Sequence, residues 1–430
     1  MSKKVKHFDF AKKPYRPSKF LFFLAKNILC KPDLKKRKAK INKIGMEEYE
    51  NVPYLLLINH ASLVDLNIMM MSTHPRLVNN VMTLEGFRDY TEPLMRGLGV
   101  LGKRKYVSDL HLVRNISYCL KELKTIFAMF PEARYSLDGC TSFLPESLGS
   151  LVKMMKVPVV MLKIHGNFVT NPQWNKINKF NWVEADMYPI ITADETKSLS
   201  STELFNRIKE NFRYDDFAWQ YENKIKIDHP ERARGLNCLL YKCAKCGVEH
   251  KMEASGTTLH CTACGKSWEM DEYGRLHGDD GVTEFPHIPD WSNWERKCVR
   301  EEIRNGTYYF EDTVRVETLP NAWKFHKQGE GKLVQTPEGT TLTCDFYGEP
   351  YTLNKPGIAL ESMHIEYDYK GHGDCVDISI PDDSFWCYLS KKDAITKLSF
   401  ATEEIHFLAK EKRESEKSLK VKTKSEETEK

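Results

Sequence analysis

Residues 54–70 read YLLLINHASLVDLNIMM. Four apolar residues, Leu55 to Ile58, run without a polar break and end at Asn59-His60. A continuous apolar run of this length suits a strand buried on both faces. Leu63, Leu66, Ile68, Met69 and Met70 then follow at helical spacing. A strand that passes through a short polar turn into a helix is the start of an α/β unit, so this stretch predicts the fold class. It also raises a chemical question, because the turn carries an imidazole and, five positions on, the carboxylate of Asp65. On a regular helix five positions rotate by about 140° and the two side chains diverge. A turn at Asn59-His60-Ala61 removes the conflict, since His60 then precedes the helical register. The plain structural alternative is that Asn59 caps the helix and His60 is a surface histidine.

The same alternation continues outward. Val52–Ile58, 125–130 and 157–164 read as strands, and residues 111–123 carry apolar positions at helical spacing. Strands alternating with helices predict an α/β layer structure with a mixed central sheet flanked by helices over residues 46–215. The chain has 430 residues, enough for two or three domains. Its 64 basic and 60 acidic side chains nearly cancel, which argues against a general nucleic-acid coat. No apolar run reaches the roughly 18–20 residues that a membrane span requires. Residues 1–45 are basic around one apolar island, Phe20 to Leu29, with Lys31 and Lys35-Lys36-Arg37-Lys38 behind it. Apolar and cationic side chains side by side suit a helix lying in an anionic membrane interface. This predicts a cytoplasmic protein held peripherally on the inner face of the membrane.

Three further stretches accompany His60. Gly99-Val100-Leu101-Gly102-Lys103-Arg104-Lys105, Phe130-Pro131-Glu132-Ala133-Arg134-Tyr135-Ser136 and Val157-Pro158-Val159-Val160 follow it in that order. With the Asn59-His60…Asp65 spacing, they resemble the blocks of the glycerophospholipid acyltransferase family, which includes the bacterial lysophosphatidic acid acyltransferases. The resemblance covers roughly residues 40–215. The third block departs from the family's FPEGTRS pattern at Ala133, Arg134 and Tyr135. In the second block, strict register places Lys105, not Arg104, at the family's arginine.

The resemblance implies an O-acyltransferase. It would move a fatty acyl group from acyl-CoA or acyl-carrier protein to the hydroxyl of a lysophospholipid such as 1-acylglycerol 3-phosphate. The residue chemistry agrees. His60 can take the acceptor's hydroxyl proton, and Asp65 can fix its tautomer and stabilise the imidazolium. No serine or cysteine nucleophile is needed, because the acceptor hydroxyl itself attacks. Arg104, Lys105 and Arg134 are candidates for holding an acceptor phosphate, with Glu132 ordering these cations or the acceptor's hydroxyl. The altered third block motivates a second reading, a catalytically degenerate lipid-binding scaffold that recruits partners through its later domains.

Beyond residue 240 the pattern changes. Cys243-x-x-Cys246-Gly and Cys261-x-x-Cys264-Gly form two matched knuckles, the spacing of a zinc ribbon over residues 241–270. Four thiolates close a tetrahedron, so a bound Zn2+ would be structural. A rubredoxin-like iron or a dithiol redox pair is the alternative, and the ribbon's mild basic character does not predict nucleic-acid binding. Residues 216–240 read as a helical linker and 271–310 as a linker with one helix. Residues 311–410 read as a small β-rich domain, from β-branched and aromatic runs at 313–317, 340–347, 364–369 and 376–380. The ribbon and this domain are the candidate surfaces for a protein partner. Residues 411–430, almost all Lys, Glu, Ser and Thr, read as a disordered charged tail.

Overall fold

The computed structural model describes residues 5–88 and 90–428, with side chains through residue 417. The chain divides into two units. The first comprises Met1–Trp291 with Leu319–Phe325 and Ser379–Ser384; the second comprises the remaining segments.

The first unit is built on a seven-stranded mixed sheet. Its strands are β1 (Lys40–Lys43), β2 (Leu55–Ile58), β3 (Val78–Thr83), β4 (Val100–Lys103), β5 (Ile126–Met129), β6 (Val159–His165) and β7 (Glu184–Ile191). They lie in the order β1-β7-β6-β2-β5-β3-β4. Only β6 and β7 pair antiparallel; the other neighbours are parallel. The middle strand, β2, is the unbroken apolar run Leu55–Ile58. Leu56 and Ile58 point into one core with Val64, Ile68 and Met69 of helix Val64–Thr73. Leu55 and Leu57 point into the other, against Leu112 and Ile116 of helix Leu110–Lys121 and Leu148 and Val152 of helix Ser147–Met155. All four β2 side chains are fully buried, which is why the run carries no polar residue.

Chain direction then places a crevice. After β2 the chain leaves over one face of the sheet into helix Val64–Thr73; after β5 it leaves over the other face toward helix Ser147–Met155. β2 and β5 are parallel neighbours, so their carboxyl ends open where the connections part. Open α/β sheets bind ligands at such a point. His60 follows β2, and residues 130–136 follow β5.

At the N-terminus, helix Lys19–Ala25 continues through a π-helical turn, Lys26–Cys30, into helix Lys31–Lys36. Phe22, Cys30 and Leu34 are buried. Asn67 of helix Val64–Thr73 receives the Cys30 thiol at 3.5 Å and donates to Asp33 at 3.0 Å. The opposite side exposes Phe20, Phe23, Ile28 and Leu29, each more than half accessible. Among the described residues, no helix is long and apolar enough to cross a membrane.

Residues 216–240 differ from the expected helical linker. Only Asp216–Glu222 and Leu236–Leu239 are helical, and the intervening chain packs instead. Ile227 and Arg232 bond the main chain of Glu272 and Met270, and His287 reaches Asp215 at 2.7 Å. A four-stranded antiparallel sheet follows, formed by β8 (Met252–Ser255), β9 (Thr258–Cys261), β10 (Ser267–Met270) and β11 (Leu276–Gly278). Its core is the buried, T-shaped pair Trp268–Trp291 at 4.9 Å.

The second unit carries all but Ser379 and Ser384 of a second seven-stranded sheet, with residues 292–304 of helix Ile288–Arg304 and helix Ile395–Thr428. The strands are β12 (Phe310–Thr318), β13 (His326–Thr336), β14 (Gly339–Phe346), β15 (Glu349–Pro356), β16 (His364–Glu366), β17 (Cys375–Ser379) and β18 (Ser384–Tyr388). Their order is β15-β14-β13-β12-β18-β17-β16. β13, β15 and β18 have no counterpart in the sequence reading. β13 is written HKQGEGKLVQT, with Gly329 at φ +92° beside a bulge of β13 itself, where Gln328 is skipped opposite Val316 and Glu317. β15 is a proline-bearing edge strand. Arg296 and Arg300 pair with Glu403 and Glu404 at 2.6 and 2.8 Å and tie the two helices together. Residues 411–428, expected to be a disordered tail, continue the second helix. Lys and Glu are strong helix formers, and a helix already nucleated on a packed segment extends at little cost.

Candidate active site

The turn after β2 is held from three sides. Asn59 does not cap the helix. Its side chain donates to the Ile164 carbonyl at 2.9 Å and accepts the Ile164 N–H at 2.8 Å, so it joins β2 to β6. The His60 N–H donates to Glu132 Oε1 at 3.1 Å, and the His60 carbonyl accepts the Ser136 N–H at 2.8 Å. These bonds fix the His60 backbone before any side-chain contact is counted.

The imidazole is fixed in turn. Nδ1 lies 2.9 Å from Asp65 Oδ2. Oδ2 also accepts the Ala61 and Ser62 N–H groups at 2.7 and 3.0 Å, and Oδ1 accepts the side-chain amide of Asn167. Asp65 is completely buried in the first turn of helix Val64–Thr73, where the helix dipole favours a carboxylate. Nδ1 donates to Asp65 Oδ2, so in the neutral ring Nε2 carries the lone pair. Phe130 stacks on the imidazole at 4.1 Å and 25°, and the Tyr135 ring lies 4.3 Å away. The His60 side chain keeps 18% of its surface accessible. The structure therefore brings His60 and Asp65 together and leaves part of the imidazole accessible.

The four residues expected to bind the acceptor fare differently. Glu132 is 1% exposed, and both its oxygens accept main-chain amides: Oε1 that of His60, Oε2 that of Ser142 at 2.6 Å. Burial pushes its carboxyl up to about 7, against the pull of those two amides and of Arg134. Glu132 organises the loop around His60. Arg104 is buried, and its guanidinium donates to the carbonyls of Leu319, Pro320 and Asp382 and to Ser384 Oγ, all at 2.8–3.1 Å. It ties together, within the first unit, two segments that are distant in sequence. Lys105 is buried against Glu85, with Nζ 2.5 Å from Oε1. Arg134 is buried beside Glu132, and Nη1 donates to the Tyr135 carbonyl at 3.3 Å. Sequence spacing aligned these cations with a motif, but their partners lie hundreds of positions away for Arg104, in a different element for Lys105, and in its own loop for Arg134. Ala133 sits at φ +57°, a left-handed position where the resembled pattern has glycine.

Asn167, Ser62, Phe130, Tyr135 and Ser142 complete the surroundings of the pair, and sequence reasoning assigned none of them a role. The signal for Asn167 was legible: Gly166-Asn167 follows the apolar run of β6 just as Asn59-His60 follows β2.

At the four-stranded sheet, Cys243 and Cys246 before β8, Cys261 at the end of β9 and Cys264 in the turn after it form a group that could hold a metal ion. The Cys243–Cys264 and Cys246–Cys261 sulfurs lie 3.7 and 3.8 Å apart. A tetrahedron with Zn–S bonds of about 2.3 Å has edges of about 3.8 Å, so the set fits zinc. Gly247 and Gly265 turn each knuckle at φ +74° and +78°. His250 stacks on Tyr241 and His260 bonds Ser267, so both histidines stand outside the cluster.

No family model matches the chain. No curated protein matches it either. Among solved structures, it is similar to the crystal structure of the 1-acyl-sn-glycerophosphate (LPA) acyltransferase, PlsC, from Thermotoga maritima. The similarity covers 45% of this chain and 83% of that one, at 21% identity and a TM-score of 0.34, a level from which nothing is carried over.

Proposed function

We propose that the chain is an O-acyltransferase acting at a membrane surface. The observation that carries this reading is the His60–Asp65 pair at the carboxyl end of the central strand, its carboxylate saturated with donors and its imidazole partly open. His60 Nε2 takes the proton of an acceptor hydroxyl as the oxygen attacks the thioester carbonyl of acyl-CoA or acyl-carrier protein. Asp65 stabilises the imidazolium, which then returns its proton to the leaving thiolate. The acceptor is a lysophospholipid such as 1-acylglycerol 3-phosphate. Arg134, beside the site loop, is the retained candidate for its headgroup; Arg104 and Lys105 serve the fold instead. A complete donor set around Asp65 favours catalysis over the degenerate scaffold, since a scaffold has no use for an oriented imidazole.

The exposed Phe20, Phe23, Ile28 and Leu29, flanked by lysines, support peripheral binding to an anionic, cytoplasmic membrane face. The four ribbon thiolates hold a structural Zn2+, which supplies no chemistry to the transfer. The test is an assay of thiol release from acyl-CoA over a panel of lysolipids and glycerol 3-phosphate. Acceptor-dependent release supports the reading; hydrolysis without an acceptor, or no turnover on the whole panel, rejects it.

A further inference from the structure

We infer that Asn167 is a positioning residue that completes a His60–Asp65–Asn167 relay, an inference that rests on the acyltransferase reading of this site. Asp65 Oδ2 already serves three donors: the imidazole and the amides of Ala61 and Ser62. The Asn167 amide is the donor to Oδ1, in a place where no surface is exposed. Without it, a buried carboxylate oxygen loses its hydrogen bond, and the carboxylate either rotates or gains a proton. Both outcomes weaken its hold on the Nδ1–H tautomer that leaves Nε2 free.

The orientation of the amide is itself determined. A carboxylate oxygen can only accept, and on the other side of the amide Ser62 Oγ, which accepts the Val64 N–H at 3.2 Å, donates to Asn167 Oδ1 at 3.2 Å. That leaves Nδ2 facing the carboxylate. The Asn167 backbone is held just as firmly. Asp216, itself buried, accepts the N–H groups of Gly166 and Phe168 at 3.1 and 2.9 Å. Gly166 stands at φ +78°, and a Cβ there would meet the Trp182 carbonyl oxygen at 2.6 Å. Strand β6, this turn and the Asp216 carboxylate together aim one amide at one oxygen. A packing role for Asn167 requires none of this donor–acceptor order.

The test reads the imidazole directly. Ring 15N resonances of His60, assigned by loss in His60→Gln, are followed through a pH titration of the full chain. In the wild type the Nδ1–H tautomer should dominate. Asn167→Asp keeps the volume but faces Asp65 with a second carboxylate, and should raise the His60 pKa by about one unit or more. Asn167→Ala should lose the tautomer preference, and Asn167→Ser, which keeps a donor, should restore it in part. In acyl transfer, the acid limb of kcat/KM should move up with the NMR pKa. For Asn167→Ala, kcat should fall about ten- to a hundredfold with KM little changed, as for outer-shell partners elsewhere. Wild-type tautomer and pKa in both Asn167→Asp and Asn167→Ala would overturn the inference; if Asn167→Asp does not fold, the Ala and Ser pair decides it. Because the NMR arm needs no turnover, a relay intact in a chain without transferase activity would reject the reaction and leave the relay standing.

Discussion

Glu132 Oε1 accepts the main-chain N–H of His60 at 3.1 Å, while its other oxygen accepts that of Ser142. One buried carboxyl thus joins the loop after β5 to the turn after β2. Its pKa is raised by burial from the ordinary 4.5 to about 7. Folded protein therefore holds this proton where unfolded protein has released it. The stabilising contribution is full below pH 4.5 and is lost as pH rises through 7. Glu132→Gln cannot ionise, so its urea midpoint should gain on the wild type's between pH 4.5 and 7 and stay parallel above. A constant difference across that range would show that Glu132 is ionised throughout.

Arg104 should matter to stability more than to substrate. Its guanidinium satisfies three carbonyls and a hydroxyl inside the first unit. Removing it leaves those acceptors unpaired, at a cost on the order of 3 kcal/mol. Arg104→Ala should lower the urea midpoint accordingly while KM for the acceptor changes little. A large rise in KM with unchanged stability would return Arg104 to the substrate.

The N-terminal helix makes a separate prediction. Replacing Phe20, Phe23, Ile28 and Leu29 together by serine removes exposed apolar surface, so the fold should keep its melting temperature. Co-sedimentation with vesicles containing anionic lipid should fall by at least tenfold, because each large apolar group contributes roughly 1.5–3 kcal/mol to burial. Equal binding by the variant would reject the interfacial role.

The ribbon should hold one zinc per chain by metal analysis of reduced, folded protein. Cys243→Ser with Cys246→Ser should lose the metal and loosen the sheet around Trp268 and Trp291, seen as a change in tryptophan fluorescence. Transfer by the remaining folded protein should persist, since no cysteine ligand belongs to the His60 site. A folded wild type free of zinc and iron would reject the metal centre.

The parts legible in the sequence are those set by local pattern. An uninterrupted apolar run gave β2, and the position of His60 before the helical register gave its meeting with Asp65. Two Cys-x-x-Cys-Gly turns gave the four-thiol cluster. What stayed hidden depends on distant partners. Arg104 is engaged by loops more than two hundred residues away, and spacing within its own block carries no trace of them. Asn167 meets Asp65 only because β6 lies beside β2. β13 and β15 hide because glycine, proline and charged residues dilute the alternation that marks a strand.

The most direct measurement of the central claim compares initial rates of acceptor-dependent thiol release from acyl-CoA by wild type, His60→Ala and Asp65→Asn. A positioned general base typically contributes 10²- to 10⁴-fold. His60→Ala should therefore lose at least about a hundredfold in kcat, with Asp65→Asn close behind, while both keep the wild-type circular dichroism spectrum. His60→Ala retaining more than about a tenth of the wild-type rate would contradict the account.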